Sequence, residues 1–301
     1  MQLTRDSLSF QAFRMLGVLA RLMGRRQAER TACLFGDFFY DVVKVRRGLV
    51  LGNLARTFPE KSPAEIGRIA RSVYRNLAVS LFEALRLPLV RTREDAAALV
   101  DIDDTDAERF FRKTRGQNRG AVLVSAHYGN WELMAMTFGL LLTPITIVVK
   151  PQKNRLIDRQ INSWRTMRGN RVVARSTALR DGLKLLGEGG VLALLGDQSD
   201  PNAGYFADFL GRKTSLFLGA AFFALKAGVP LFVTICRRND TGRSIIEIRE
   251  IDTSDLAFRK QDIRELALRY TKVLEDAILR YPEEWFWLHN RWKRSVPEGQ
   301  G

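Results

Sequence analysis

Through the first ninety positions the apolar residues recur every three to four places, the spacing of helices rather than strands. The clearest case is Ile66, Ile69, Val73, Leu77 and Leu81. Ser62-Pro63-Ala64-Glu65 opens that helix as a capping box with proline in its first turn, and Leu87-Pro88 closes it. Residues 91–106 are charged and irregular and read as a junction. Beyond residue 110 the pattern changes. Short apolar or β-branched runs at 121–125, 145–149, 191–195, 231–235 and 244–249 alternate with helical patterns at 131–142, 156–167, 177–188 and 214–226. A last helix at 262–281 leads into an aromatic tail. Alternation of this kind predicts an α/β fold, a central mixed sheet flanked by helices, behind an N-terminal helical region. The expected division is residues 1–95, helical and membrane-associating, and residues 96–301, the α/β domain, packed as one compact unit.

Three apolar runs test for membrane segments. Residues 10–23 are interrupted by Arg14 and Arg21, and Arg25 follows at the i+11 position of the same stripe. Such a helix suits a membrane interface with its arginines reaching headgroups, or packing on its own domain. It is too short and too charged to span, which takes ~20 apolar residues. Residues 133–149 are split by Thr143-Pro144, and residues 214–235 by Gly228-Val229-Pro230, so both read as buried core. No apolar stretch ends in a signal-peptide cleavage pattern.

Charge adds a partner. The chain has 48 Lys plus Arg against 33 Asp plus Glu, a net +15, and 37 of the 48 are arginine. That excess predicts an anionic partner: nucleic acid, anionic lipid or an acidic protein. With 46% hydrophobic residues the chain is no disordered basic tail. Two cysteines, Cys33 and Cys236, lack metal-ligand spacing, so neither a metal site nor a disulfide framework is expected, and no cofactor. Residues 150–180 concentrate the charge. Nine basic residues there, among them Lys150, Arg159, Arg168 and Arg175, face the single acid Asp158, a net +8. Trp164 is the only aromatic among them, which disfavours nucleic acid, where stacking rings are interleaved with the cations.

The sharpest chemical feature is Ser125-Ala126-His127-Tyr128-Gly129-Asn130-Trp131-Glu132. A buried strand ends there, a Gly/Asn turn follows, and a helix begins. His127 thereby falls at the carboxyl end of a strand, where open α/β sheets place ligand crevices. A turn this tight predicts that Glu132 folds back to the imidazole, fixing its tautomer so that the other nitrogen can deprotonate an alcohol. No serine or cysteine nucleophile pattern surrounds the histidine, which points to direct attack by a substrate hydroxyl. The competing readings are a hydrogen-bonded core histidine in a non-catalytic basic membrane-surface scaffold, and an RNA-binding protein.

His127-x4-Glu132 resembles the H-x4-D/E signature of glycerolipid acyltransferases, and the full string resembles the bacterial lipid A biosynthesis acyltransferases of lauroyl and myristoyl type. Further blocks follow in order: Asn53-Leu54, Phe58-Pro59-Glu60, Gly196-Asp197-Gln198, Phe209-Leu210-Gly211 with Thr214, and 287–293. Lys150-Pro151 and Arg175 also match basic positions of that family's pattern. The chain departs from it at Ala207-Asp208, at Asn290, and at Ser199, which separates Gln198 from Asp200. The resemblance implies acyl transfer from a thioester, on acyl carrier protein or coenzyme A, to a hydroxyl of an anionic membrane glycolipid such as a lipid A precursor. A related acceptor, such as a phosphatidylinositol mannoside, is the alternative. It implies His127 as base with Glu132 as its partner. Asn130, Lys150, Arg159, Arg168, Arg175, Asp197 and Gln198 are the expected substrate-binding residues. It implies the cytoplasmic face of a bacterial inner membrane.

Overall fold

The computed structural model describes residues 2–114, 120–199 and 205–293. The helical first third consists of α1 (Gln2–Leu22), α2 (Arg25–Phe38), α3 (Arg47–Thr57) and α4 (Pro63–Arg86). The capping box is present as expected, with Ser62 Oγ accepting from the Glu65 amide and Glu65 accepting from the Ser62 amide. The junction is more ordered than its composition predicts. It holds the short helix α5 (Arg93–Ala97), strand β1 (Val100–Ile102) and the start of α6 (Asp104–Thr114).

Alternation then runs β2 (Ala121–Ser125), α7 (Trp131–Leu141), β3 (Thr146–Val149), α8 (Arg155–Thr166), β4 (Arg171–Ala174), α9 (Ala178–Gly187) and β5 (Val191–Leu195). A two-stranded hairpin, β6 (Phe206–Phe209) and β7 (Arg212–Ser215), interrupts it. The chain closes with α10 (Gly219–Ala227), β8 (Leu231–Arg238), β9 (Ser244–Ile251) and α11 (Lys260–Arg280). Seven strands form one mixed sheet in the order β1-β9-β8-β2-β5-β3-β4. Strands β8, β2, β5, β3 and β4 run parallel, while β9 is antiparallel to β8. The mixed α/β architecture is the one expected from the sequence.

Three differences from the sequence reading have local causes. The helix expected at 214–226 begins only at Gly219, because Leu210 and Gly211 both take positive φ and turn the chain into the hairpin. Strand β4 is only four residues long and flanked by arginines, too short to stand out as a period. The arginine stripe is broken at Gly24, so Arg25 belongs to α2 and not to α1. Arg21 also turns inward and donates to the Leu85 carbonyl. Arg14 stays exposed, and beside it α1 presents an apolar stripe outward: Leu8, Met15, Leu19 and Leu22, at i, i+7, i+11 and i+14. Among the described residues no helix is long and apolar enough to cross a membrane.

Both faces of the sheet are buried. One core joins Val122, Val124, Leu192, Leu194 and Val233 to α3, α4, α10, α11 and the aromatic tail. The other packs Leu123, Phe232 and Ile246 against α7 and Phe110. Trp285, Trp287 and Trp292 are buried, so the aromatic tail is core rather than a surface belt.

Candidate active site

The parallel strands end on one edge, and the chemistry gathers there. Ser125 of β2 pairs in register with Leu195 of β5. Two residues beyond each stand His127 and Asp197, and the imidazole Nδ1 lies 2.9 Å from Asp197 Oδ1. The second carboxylate oxygen accepts from Trp285 Nε1 at 2.9 Å. The Gln198 amide nitrogen lies 3.3 Å from the same imidazole nitrogen. Asp197 is 2% exposed and the His127 side chain 22%. Burial alone would disfavour charge on both. The charge and hydrogen bond of each partner outweigh it, holding the imidazole pKa above 6.5 and the carboxyl below 3.8. With Nδ1 engaged by Asp197, Nε2 is the nitrogen left to take a proton.

Glu132 is not the imidazole's hydrogen-bond partner, which corrects the expectation from the turn. As the second residue of α7 it points to α8, where Arg165 grips it with two donors, Nε to Oε2 at 2.9 Å and Nη2 to Oε1. Burial opposes the Arg165 charge, and the paired carboxylate more than restores it. Arg165 was visible in the sequence only as one member of the basic run.

The turn itself is held from three sides. Gly129 takes φ +56°, and a Cβ there would lie 1.8 Å from the Cys236 carbonyl oxygen. From the tail, the Phe286 amide donates to the His127 carbonyl at 3.0 Å, and the Gly129 amide donates to Glu284 O at 2.9 Å. From α4, Ser80 donates to the Gly129 carbonyl, and Glu83 accepts from Asn130 Nδ2 at 2.8 Å and Arg238 Nη2 at 2.7 Å.

Beside the pair opens an apolar cleft of about 290 Å³, walled by α1, α4, α8 and the tail. Phe13, Leu77, Leu81, Leu85, Ile161, Trp164 and Phe286 line it, and Trp131 and Glu132 reach it from the turn. The His127 ring is 5.1 Å from Trp131 and 6.0 Å from Phe286, centre to centre, so it packs against two of the residues that line the cleft. An imidazole packed against the wall of an apolar cleft suits a hydrocarbon-bearing substrate. Residues 7–294 match the family model for bacterial lipid A biosynthesis acyltransferases. The chain belongs to this family. It is an acyltransferase.

Known relatives are similar over most of their length. The lipid A biosynthesis lauroyltransferase of Escherichia coli (strain K12) is 27% identical over 276 residues, 90% of this chain and 86% of the relative. The palmitoleoyltransferase of the same strain is 26% identical over 279 residues, 86% and 82% respectively. A phosphatidylinositol mannoside acyltransferase of Mycolicibacterium smegmatis is 26% identical over 246 residues, 80% and 77%.

The other expected site residues of this acyltransferase fall into two groups. Lys150 and Arg175 are exposed and follow β3 and β4, at the same sheet edge as His127 and Asp197. Asn130 and Arg168 are engaged with the protein itself. Asn130 is buried, caps α7 through the Leu133 amide and lines the cleft, while Arg168 Nε donates to the Val90 carbonyl. Arg159 is exposed on α8, its Nε donating to the Arg155 carbonyl. Asp200 lies outside the described residues.

Proposed function

We propose that this acyltransferase moves a fatty acyl chain from a thioester carrier to a hydroxyl of a membrane glycolipid, with His127 as general base and Asp197 orienting it. The observation that carries the reading is the His127–Asp197 contact of 2.9 Å, with the imidazole packed against Trp131 and Phe286 of an apolar cleft. In this mechanism His127 Nε2 takes the acceptor's hydroxyl proton as the oxygen attacks the thioester carbonyl. The tetrahedral intermediate collapses, the carbon–sulfur bond breaks, and the imidazolium passes its proton to the leaving sulfur, which regenerates the neutral base. Asp197 stays ionised and stabilises that cation. The acyl chain occupies the cleft.

The acceptor proposed is a lipid A precursor, in keeping with the family and with Lys150 and Arg175 at the same sheet edge as His127. The mannoside-acylating relative, at 26% identity, supports a phosphoinositol glycolipid as the second reading. Acyl carrier protein is the proposed donor, with a coenzyme A thioester as its competitor in the same assay. The outward stripe Leu8, Met15, Leu19 and Leu22 supports α1 lying in the headgroup region of the inner membrane's cytoplasmic face. Residues 1–95 would then be the membrane-associating part. The test is reconstitution with each thioester and each lipid, read by mass spectrometry. One added acyl group that vanishes in His127→Ala supports the reading, and undiminished transfer by that variant refutes the mechanism.

A further inference from the structure

A second cavity, of about 460 Å³, opens where α10, the start of α11 and the entry to β6 meet. Its rings are Tyr205, Phe222 and Phe258, its cations are Arg259, Lys260 and Arg264, and no acidic side chain lines it. Phe258 is 44% exposed there. The cavity is remote from the catalytic turn and shares no lining residue with the cleft beside His127. Tyr128, next to His127, donates from its hydroxyl to the Ala277 carbonyl near the end of α11. Lys260 opens that helix, about 25 Å away along its axis.

The positive charge around the cavity is largely unbalanced. Asp262 accepts from the Ala257 amide at 3.0 Å and lies 3.9 Å from Arg259 Nε, so Arg259 has a partial partner. Among the described residues Lys260 and Arg264 pair with no carboxylate. Arg264 instead lies over Tyr205, 4.9 Å from the ring centre, and Lys226 of α10 stands 4.7 Å from that of Phe258. Both cations are thereby held at the aromatic surface. Mostly apolar walls, a few charged groups and a volume within the ~300–1,000 Å³ of small-molecule sites describe a ligand pocket.

The rings narrow the choice of ligand. Phe222 and Phe258 stand 74° apart with centres 5.5 Å apart, so they offer no parallel faces to a planar base. Tyr205 and Phe258 each already have a cation over one face. That disfavours a nucleotide, whose base needs an open ring to stack on. A flexible hydrocarbon chain makes no such demand, and the cations beside the rings call for an oxyanion.

We infer that this cavity binds an anionic amphiphile, a hydrocarbon chain ending in a carboxylate or phosphate, at a site separate from the reacting one. The inference goes beyond the proposed reaction and does not depend on it.

Titration calorimetry on the full chain tests it without turnover, so failure of the His127 mechanism and failure of this inference are told apart. The probes are decanoate and decyl phosphate, with decyl maltoside as the uncharged twin, all used below micelle formation. The double variant Lys260→Gln/Arg264→Gln should weaken anion binding by about tenfold or more, the worth of a charge-assisted hydrogen bond. Phe258→Asp, which sets a like charge at the cavity, should weaken it at least as much. Leu81→Trp, in the cleft beside His127, should leave this binding intact. Whichever anion responds names the head group, and a response from both makes the oxyanion itself the feature recognised. No binding to wild type, or equal affinity of wild type and both cavity variants for both anions, overturns the inference. So does decyl maltoside binding as tightly as the anions. Loss of binding in Leu81→Trp alone also overturns it, because the probe would then sit in the cleft beside His127. Should Phe258→Asp fail to fold, Lys260→Gln/Arg264→Gln decides between the same outcomes.

Discussion

Asp197 and His127 stand seventy residues apart in the chain and 2.9 Å apart in space. In the proposed mechanism the contact links protonation to both catalysis and stability, and each has its own sign. Asp197→Asn keeps the shape and removes the charge. Transfer should fall by about 10²–10⁴-fold, the worth of a well-placed acid–base pair. The acidic limb of kcat/KM, set in wild type by an imidazole pKa raised above 6.5, should move to lower pH. An unmoved limb would mean that His127 is not the group titrating.

The stability effect of the same pair follows by linkage. His127 is raised, so its contribution is complete below 6.5 and fades as pH climbs through the folded value. Asp197 is lowered, so its contribution is present above 3.8 and fades as pH falls through its folded value. Wild type should therefore exceed Asp197→Asn in melting temperature most between those limits, and the gap should narrow toward alkaline pH. A pH series of thermal melts on both proteins measures it.

Glu132 and Arg165 form a two-donor pair with side chains only 17% exposed. Removing either alone leaves a half-buried charge, and Arg165→Met should cost about 3 kcal/mol. The double variant Glu132→Gln/Arg165→Met should recover much of that loss. Chemical denaturation of the single and double variants reads the coupling, and simple additivity would refute it.

Gly129 has no room for a side chain. Gly129→Ala combines a left-handed φ of +56° with a Cβ 1.8 Å from a backbone oxygen. Neither the turn nor β8 can yield cheaply, so a loss of about 3 kcal/mol is expected. Transfer should fall with it, because the displaced residues adjoin His127. Melting curves and activity at a temperature where the variant is folded separate the two effects.

Leu81 lies at the cleft with 36% of its surface exposed. If the cleft holds the acyl chain, Leu81→Trp should shorten the preferred donor. Each methylene excluded is worth ~0.8 kcal/mol, about fourfold in relative kcat/KM. Competition between thioesters of graded length reads the shift, and an unchanged length profile would remove the cleft from the mechanism.

The sequence shows α4 in full because its capping box, its period and its closing proline agree. It shows β2 and β5 to the residue because they are uninterrupted apolar runs between turns. It shows His127 at a strand end but misassigns its partner. Local chain distance favours Glu132, whereas the pairing of Ser125 with Leu195 delivers Asp197, and strand order is not written in any one segment. The arginine stripe misleads for a related reason. One residue, Gly24, ends α1, and the contact of Arg21 with Leu85 depends on how α1 docks against α4. Hairpin β6–β7 hides because four-residue strands carry no measurable period, although Leu210-Gly211 marks its turn.

The backbone bonds from Phe286 to His127 and from Gly129 to Glu284, with the Trp285 indole on Asp197, have a temporal consequence. A ribosome delivers the sheet, the base and its carboxylate well before it delivers those three residues. Until they emerge, Asp197 lacks one of its two donors and the histidine turn lacks the strand-like segment at its back. A nascent or prematurely stopped chain therefore holds the reacting groups without the frame that fixes their geometry. Until residues 284–286 emerge, the histidine turn and its carboxylate lack the frame that fixes their geometry, whatever else has folded.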